Sequence, residues 1–190
     1  NNVRGNYGSG KFNLEGDVIL DKLLPKTYNL NFEGEAIVFE HGSWQGLNNI
    51  EVAIKEDFTR PLITGQITAY DTYFNLPFTW PTMGGSGTSK INPQFDLQIE
   101  PGENVKVGNS NIDVLVQSGG LNLRSGNQGL ELTGELKSNN GEFNYYNTEF
   151  ELEKGSATFR KYSYIPYLEL EANTEVQNIK LKDNTRAGET

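Results

Sequence analysis

His41 is the one histidine of the chain and lies within Glu40-His41-Gly42-Ser43-Trp44. A lone imidazole can shuttle a proton or fill one coordination position, but a metal centre or a catalytic triad needs further partners at fixed spacing. No such partners surround it, and His41 reads as a turn histidine. Glu149, Glu151 and Glu153 recur every second residue. Three carboxylates on one strand face would suit calcium binding or acid–base chemistry. Phe150 and Leu152 interrupt them and must point the other way, so the glutamates read as a solvated outer face. Glu169 and Glu171 alternate with Leu168, Leu170 and Ala172 in the same manner. Gly84-Gly85-Ser86-Gly87-Thr88-Ser89-Lys90 has the composition of a phosphate loop. It lacks the G-x-x-x-x-G-K-[ST] spacing, and no helical pattern follows it. Arg160-Lys161, beside Tyr162 and Tyr164, offers charge and aromatic surface to a lipid headgroup, although such a pair commonly just closes a turn. These residues imply no catalytic site, metal or cofactor, and the reading is of a protein that is not an enzyme.

Charge and composition narrow the partners. A net charge of -9 and a pI near 4.7 argue against nucleic acid and against docking on anionic headgroups through a basic patch. The absence of cysteine excludes disulfides and thiolate sites. Only 35% of residues are hydrophobic while 11% are aromatic, which suits a thin, one-sided sheet better than a thick core. No apolar run is long enough for a signal peptide or a membrane helix, and the chain does not open with Met. It is expected to be a piece of a longer protein whose targeting segment lies elsewhere.

The elements that position these side chains are strands. From Leu130 to Leu136, Leu and Gly occupy the even positions and Glu and Thr the odd ones. The same period-two pattern recurs at 11–20, 27–40, 50–54, 61–70, 95–99, 105–107, 112–116 and 121–123, and again between Gly141 and Thr174. The pattern at 27–40 loses register near Ile37-Val38-Phe39. Turn signals are Pro101-Gly102, Gly108-Asn109, Gly119-Gly120, Gly126-Asn127 and Asn139-Asn140-Gly141. The stretch from Phe74 to Trp80 is expected to be an edge strand, because prolines and glycines crowd it. Residues 1–80 thus form a first strand block, 81–90 a loop, and 91–182 a second block, all within one domain. Phe12-x-Leu14-x-Gly16-x-Val18, Leu30-x-Phe32-x-Gly34-x-Ala36 and Leu130-x-Leu132-x-Gly134-x-Leu136 are copies of one unit. Ile63-Thr64-Gly65-Gln66-Ile67 also matches Leu132-Thr133-Gly134-Glu135-Leu136. A glycine on the apolar face removes a side chain where a strand bends or another backbone approaches, so a stack of such units should fold into a trough.

The ordered series L-x-G-x-L, G-x-F/Y, F-x-L-x-x-G-x-x-x-F and P-x-L-x-L-x-A, from Leu130 to Val176, resembles the C-terminal domain of the TamB family, and Ile91 to Ile99 with Val105 to Val107 fits it too. The resemblance implies an all-β fold: an elongated curved sheet folded into a U-shaped trough, a β-taco, with a hydrophobic interior. It implies a groove lined by Phe95, Leu97 and Ile99; by Val105 and Val107; by Leu130, Leu132 and Leu136; by Phe150, Leu152 and Phe159; and by Leu168, Leu170 and Ala172. The function implied is periplasmic carriage of phospholipids between the inner and outer membranes of a two-membrane bacterium. Acyl chains would lie in the groove. The whole protein would be anchored in the inner membrane and would meet an outer-membrane barrel protein of the TamA/BamA type, through a segment expected beyond this one. Two alternatives stand beside it: assembly of outer-membrane barrels and autotransporters by pairing of client strands, and a structural or adhesive β-domain whose trough is filled by its own side chains. In an open trough, arginine at Leu132 or Leu170 is expected to be tolerated by the fold.

Overall fold

The computed structural model describes residues 2–76, 91–127, 129–146, 148–161, 163 and 165–175, and every regular element among them is a strand. A period of two in the apolar residues puts all of them on one face of an extended chain, whereas a helix would scatter them around its axis. Strands β1 (Asn2–Tyr7), β2 (Gly10–Asp21), β3 (Leu24–His41), β4 (Trp44–Asp57) and β5 (Leu62–Asn75) form an antiparallel meander. Strand β6 (Gln94–Pro101) then pairs with β5 in parallel. It is followed by β7 (Val105–Asn109), β8 (Ile112–Val116), β9 (Ser118–Gly126), β10 (Gly129–Ser138), β11 (Gly141–Tyr145), β12 (Thr148–Phe159) and β13 (Tyr167–Asn173). All thirteen belong to one sheet.

That sheet is creased. Residues Leu62–Ala69 of β5 pair with β6, which leads through β9 and β10 to Gly155–Phe159 of β12. Residues Thr72–Asn75 of β5 pair instead with β7, which leads through β8 and β11 to Thr148–Glu151 of β12. Strands β5 and β12 therefore belong to two rows at once. The chain crosses between the rows at the β6–β7, β8–β9 and β10–β11 connections. The register shifts in β3 (Gly34/Ile37) and β12 (Leu152/Lys154) continue the same line. Ala36, Asp71 and Asn104, on or beside it, are non-glycine residues with positive φ of 54°, 44° and 54°. A bulge carries one extra residue on one strand and bends it, and a row of bulges and breaks bends the whole sheet.

Breaking a ladder frees backbone carbonyls, and the crease meets them with small polar side chains. Asn48 is wholly buried, and its Nδ2 donates to the carbonyls of Ile37 and Gly46 at 3.3 and 3.4 Å. The Thr72 hydroxyl donates towards Tyr70 at 2.9 Å and Leu47 at 3.2 Å. The Ser138 hydroxyl reaches the carbonyls of Leu115 and Asn140 at 2.7 and 2.8 Å and accepts from the Asn140 amide at 3.0 Å. Buried carbonyls stripped of a partner cost roughly 1–3 kcal/mol each. Asn48→Ala, Thr72→Val and Ser138→Ala should each lower the urea midpoint by that order while the β-sheet circular dichroism is retained. Unchanged midpoints would mean that the crease does not depend on them.

Most expected strands are present, with four differences. Strand β1 was not legible, because Val3 and Tyr7 are its only large apolar residues and both are exposed. Gly119-Gly120 is not a turn but lies inside β9, where a Cβ on Gly119 would stand 2.0 Å from the Glu135 carbonyl oxygen across the ladder. Phe74-Asn75 closes β5 between β4 and β7 rather than running along an edge. Leu168 and Leu170 are 51% exposed, because β13 pairs with β12 and with no second strand among the described residues. The expected loop at 81–90, Trp80 and the end of the second block at 176–182 lie outside the described residues.

Candidate functional site

Register alone builds one apolar face. Residues directly opposite each other across a ladder share a face. One cross-strand line runs Leu14–Phe32–Val52–Gly65–Leu97–Leu123–Leu132 over seven strands. The next runs Phe12–Gly34–Ile50–Ile67–Ile99–Leu121–Gly134–Phe159 and reaches β12. In the second row, Trp44–Phe74–Val107–Val114 continues the apolar face. Trp44 packs against Phe39 and Phe74, with ring centroids 5.2 and 5.0 Å away. The opposite face of the first row reads Glu15–Asn31–Ala53–Thr64–Asp96–Arg124–Glu131 and carries the Arg124–Asp96 ion pair at 2.8 Å.

Two glycines of the repeat let these lines close up. Gly65 and Gly134 hold φ of +141° and +133°, where a side chain is strained. A Cβ would sit 2.0 Å from the Glu51 carbonyl oxygen in the first case and 2.1 Å from that of Gly120 in the second. The neighbouring backbone fills the space a side chain would need, and Ile63, Ile67, Leu132 and Leu136 flank these points on the apolar face.

Nine of the fourteen residues expected to line a groove fall in one apolar cluster: Phe95, Leu97, Ile99, Val105, Val107, Leu130, Leu132, Leu136 and Phe159. The other five lie outside it. Phe150 stacks on Phe143 at 5.2 Å, Leu152 is buried beside the β12 bulge, and Leu168, Leu170 and Ala172 stand opposite Ala157, Gly155 and Leu152 at the β13 end. Sequence reasoning left out the contribution of the first block, namely Ile37, Trp44, Ile50, Ile67 and Ala69, together with Val116 and Leu123. The signal was available, since Ile67 holds the same position in its copy of the repeat as Leu136 does in another. At the crease the two rows are packed together: a void of about 30 Å³ lies among Ala69, Phe74, Ile99, Val105, Val107, Val116, Leu121 and Leu136. Farther from the crease, Phe12, Phe32, Ile63, Phe95 and Leu130 are only partly buried.

The polar candidates have local roles. Arg160 lies over the Tyr167 ring at 5.4 Å, and Lys161 pairs with Glu131 at 3.1 Å. Glu149, Glu151 and Glu153 are exposed, and no described group of three acidic, histidine or cysteine side chains could hold a metal. His41 ends β3. The Thr59 amide and hydroxyl, both 2.8 Å away, hold the Asp57 carboxyl below its usual range. Burial pushes the Tyr70 phenol up, and the Glu35 carboxylate adds to this. Gly84 to Lys90, Tyr162 and Tyr164 lie outside the described residues.

The described residues thus form a creased sheet with one apolar and one polar face. The family model of the TamB C-terminal domain matches residues 84–189, more than half of the chain, and the chain belongs to that family. It is a TamB-like protein of the translocation and assembly module, from a family whose C-terminal domain is periplasmic and which associates with an outer-membrane partner of the TamA type. A comparison with curated proteins finds no match. Strands β2 to β5 precede the matched region, yet they extend its cross-strand lines without a break in face.

Proposed function

We propose that this chain carries phospholipids across the periplasm, as part of a protein anchored in the inner membrane, with acyl chains against the apolar face and headgroups in water. The observation that supports this most is the unbroken apolar line from Leu14 to Leu132. Seven strands at ~4.8 Å spacing give it a length of roughly 29 Å. Each methylene moved from water to such a surface gains about 0.8 kcal/mol, and gains nearly the same at every point of a uniform face. Strong sequestration and low barriers to sliding then coexist, and direction must come from elsewhere in the machine. Because the crease is packed, the chains ride on the partly buried residues beyond it, among them Phe95 and Leu130.

Arginine at Phe95 or Leu130 tests this. The guanidinium can snorkel out of a partly buried site, so each variant should stay soluble, β-rich and protease-resistant, with stability lowered by roughly 1–2 kcal/mol. Lipid crosslinking and outer-membrane integrity should be lost. Variants that fold and still transfer lipid would rule this face out as the route. A second reading, chaperoning of barrel strands, has in its favour strand β13, which pairs with β12 on one side and with no described strand on the other, and carries the half-exposed Leu168 and Leu170. Prolines along β13 should abolish client capture on that reading and leave lipid transfer intact.

A further inference from the structure

The hairpin that joins β2 to β3 turns on two residues, Lys22 and Leu23, with φ of 49° and 71°. A two-residue turn with positive φ at both positions favours Asn-Gly, because a larger side chain is strained there. The comparable β1–β2 and β3–β4 turns place Gly8 and Gly42 at positive φ. Here a leucine takes the strained position instead, and it is 87% exposed, with Leu24 beside it at 71%. Neither turn chemistry nor burial accounts for leucine at this point, and a local rule broken without a local gain marks a functional site. The tip also stands clear of the sheet. The last pairing of β3 with β4 joins Thr27 to Asp57, and the last of β2 with β1 joins Glu15 to Asn2, so no described strand flanks residues 20–26. Val18 and Ile19 are both exposed although alternation sends them to opposite faces, and Leu20 is exposed after them. A protein partner seats on one side of a strand pair, and a stable contact takes about 800 Å² from each partner. These aliphatics point to both sides and off the end, and only a medium that surrounds the tip covers them all. Charge does not make a basic patch there, since Lys22 adjoins Asp21 and Lys26 lies beside Asp57. We propose that the β2–β3 hairpin tip inserts into the interface of a lipid bilayer, held by Leu20, Leu23 and Leu24 rather than by headgroup charge. This goes beyond lipid carriage, because it gives the chain a membrane contact separate from the apolar face of the sheet.

The 190-residue chain is sedimented with phosphatidylcholine vesicles, with and without phosphatidylglycerol, at low and at high salt. The test variant is the double substitution Leu23→Gly with Leu24→Thr, because glycine suits the turn and threonine the strand. Its urea midpoint should equal or exceed the parent's, whereas its vesicle binding should fall at least about tenfold, the loss expected when two leucine side chains no longer enter hydrocarbon. Binding by the parent should need no phosphatidylglycerol and should survive high salt. Phe95→Arg, which is expected to lose lipid transfer, should bind vesicles as the parent does, so the tip and the carriage reading fail separately. Loss of binding in Phe95→Arg would place the vesicle contact on the apolar face and overturn the proposal. A turn variant that binds as well as the parent would overturn it too, as would binding that requires phosphatidylglycerol and vanishes in salt. A folded parent that ignores vesicles would do the same, and if it dimerises while the turn variant is monomeric, the tip is a protein contact instead.

Discussion

Alanine at Gly134 is expected to cost the fold about 2–4 kcal/mol, and alanine at Gly65 about the same. Two effects add. A φ of +133° or +141° strains any residue with a Cβ, and that Cβ would lie 2.1 or 2.0 Å from a carbonyl oxygen on the facing strand. Relief would require the ladders β9–β10 or β4–β5 to part, which would break the apolar lines at their most tightly packed points. A domain with a margin of roughly 5–15 kcal/mol should lose a large part of it. Gly129 separates the two effects, because its φ is +120° but nothing lies within 4 Å of the position a Cβ would take. Gly129→Ala should therefore cost only the conformational part, about 1 kcal/mol. Urea midpoints measure all three. A Gly134→Ala protein no less stable than Gly129→Ala would mean that the repeat glycines do not serve close approach.

Arginine at Leu132 should have the other large effect. The sequence alone suggested an open trough in which this substitution would be tolerated. Leu132 is instead 3% exposed, on a line between Leu123 and the β10 side of the cluster, so the guanidinium has no short way to water. An unpaired buried charge costs several kcal/mol, and the variant should be found in the insoluble fraction or melt far below the parent. Leu170→Arg, half exposed on β13, should change stability by no more than about 0.5 kcal/mol. A well-folded Leu132→Arg protein would show that the cluster opens to solvent with ease. The two leucines look alike in sequence, each flanked by polar residues with period two; what separates them is that Leu132 is buried in the apolar cluster while Leu170 lies outside it and is half exposed.

The faces were legible in the sequence for a simple reason: alternation determines which side chains share a side, and turn residues mark where strands stop. Even part of the crease could be read. In Phe150-x-Leu152-x-x-Gly155 the spacing slips from two to three, which is the signature of the bulge between Leu152 and Lys154. The lost register near Ile37 is the corresponding bulge in β3. Asn48, Thr72 and Ser138 gave no such signal, because a small polar residue that staples a crease looks the same in sequence as one that faces water. The parallel joint of β5 to β6 was equally silent, since pairing partners across a long gap leave no local pattern. Depth was the third loss. Period two separates inside from outside but does not distinguish the packed crease around Ile99 and Val105 from the partly buried surface at Phe95.

The central claim is that acyl chains travel on one face of this sheet, and one-residue steps along two of its strands, β6 and β10, test it most directly. Phe95 and Leu130 lie on the apolar face, while the adjacent Asp96 and Glu131 lie on the opposite one, in line with Arg124. A photo-activatable side chain is placed at each of the four positions in the full-length protein in cells, and the adducts are identified by mass spectrometry. Lipid adducts at Phe95 and Leu130, with none above background at Asp96 and Glu131, are the predicted result. Equal labelling of both faces, or folded protein with no lipid at Phe95 and Leu130, would contradict the account.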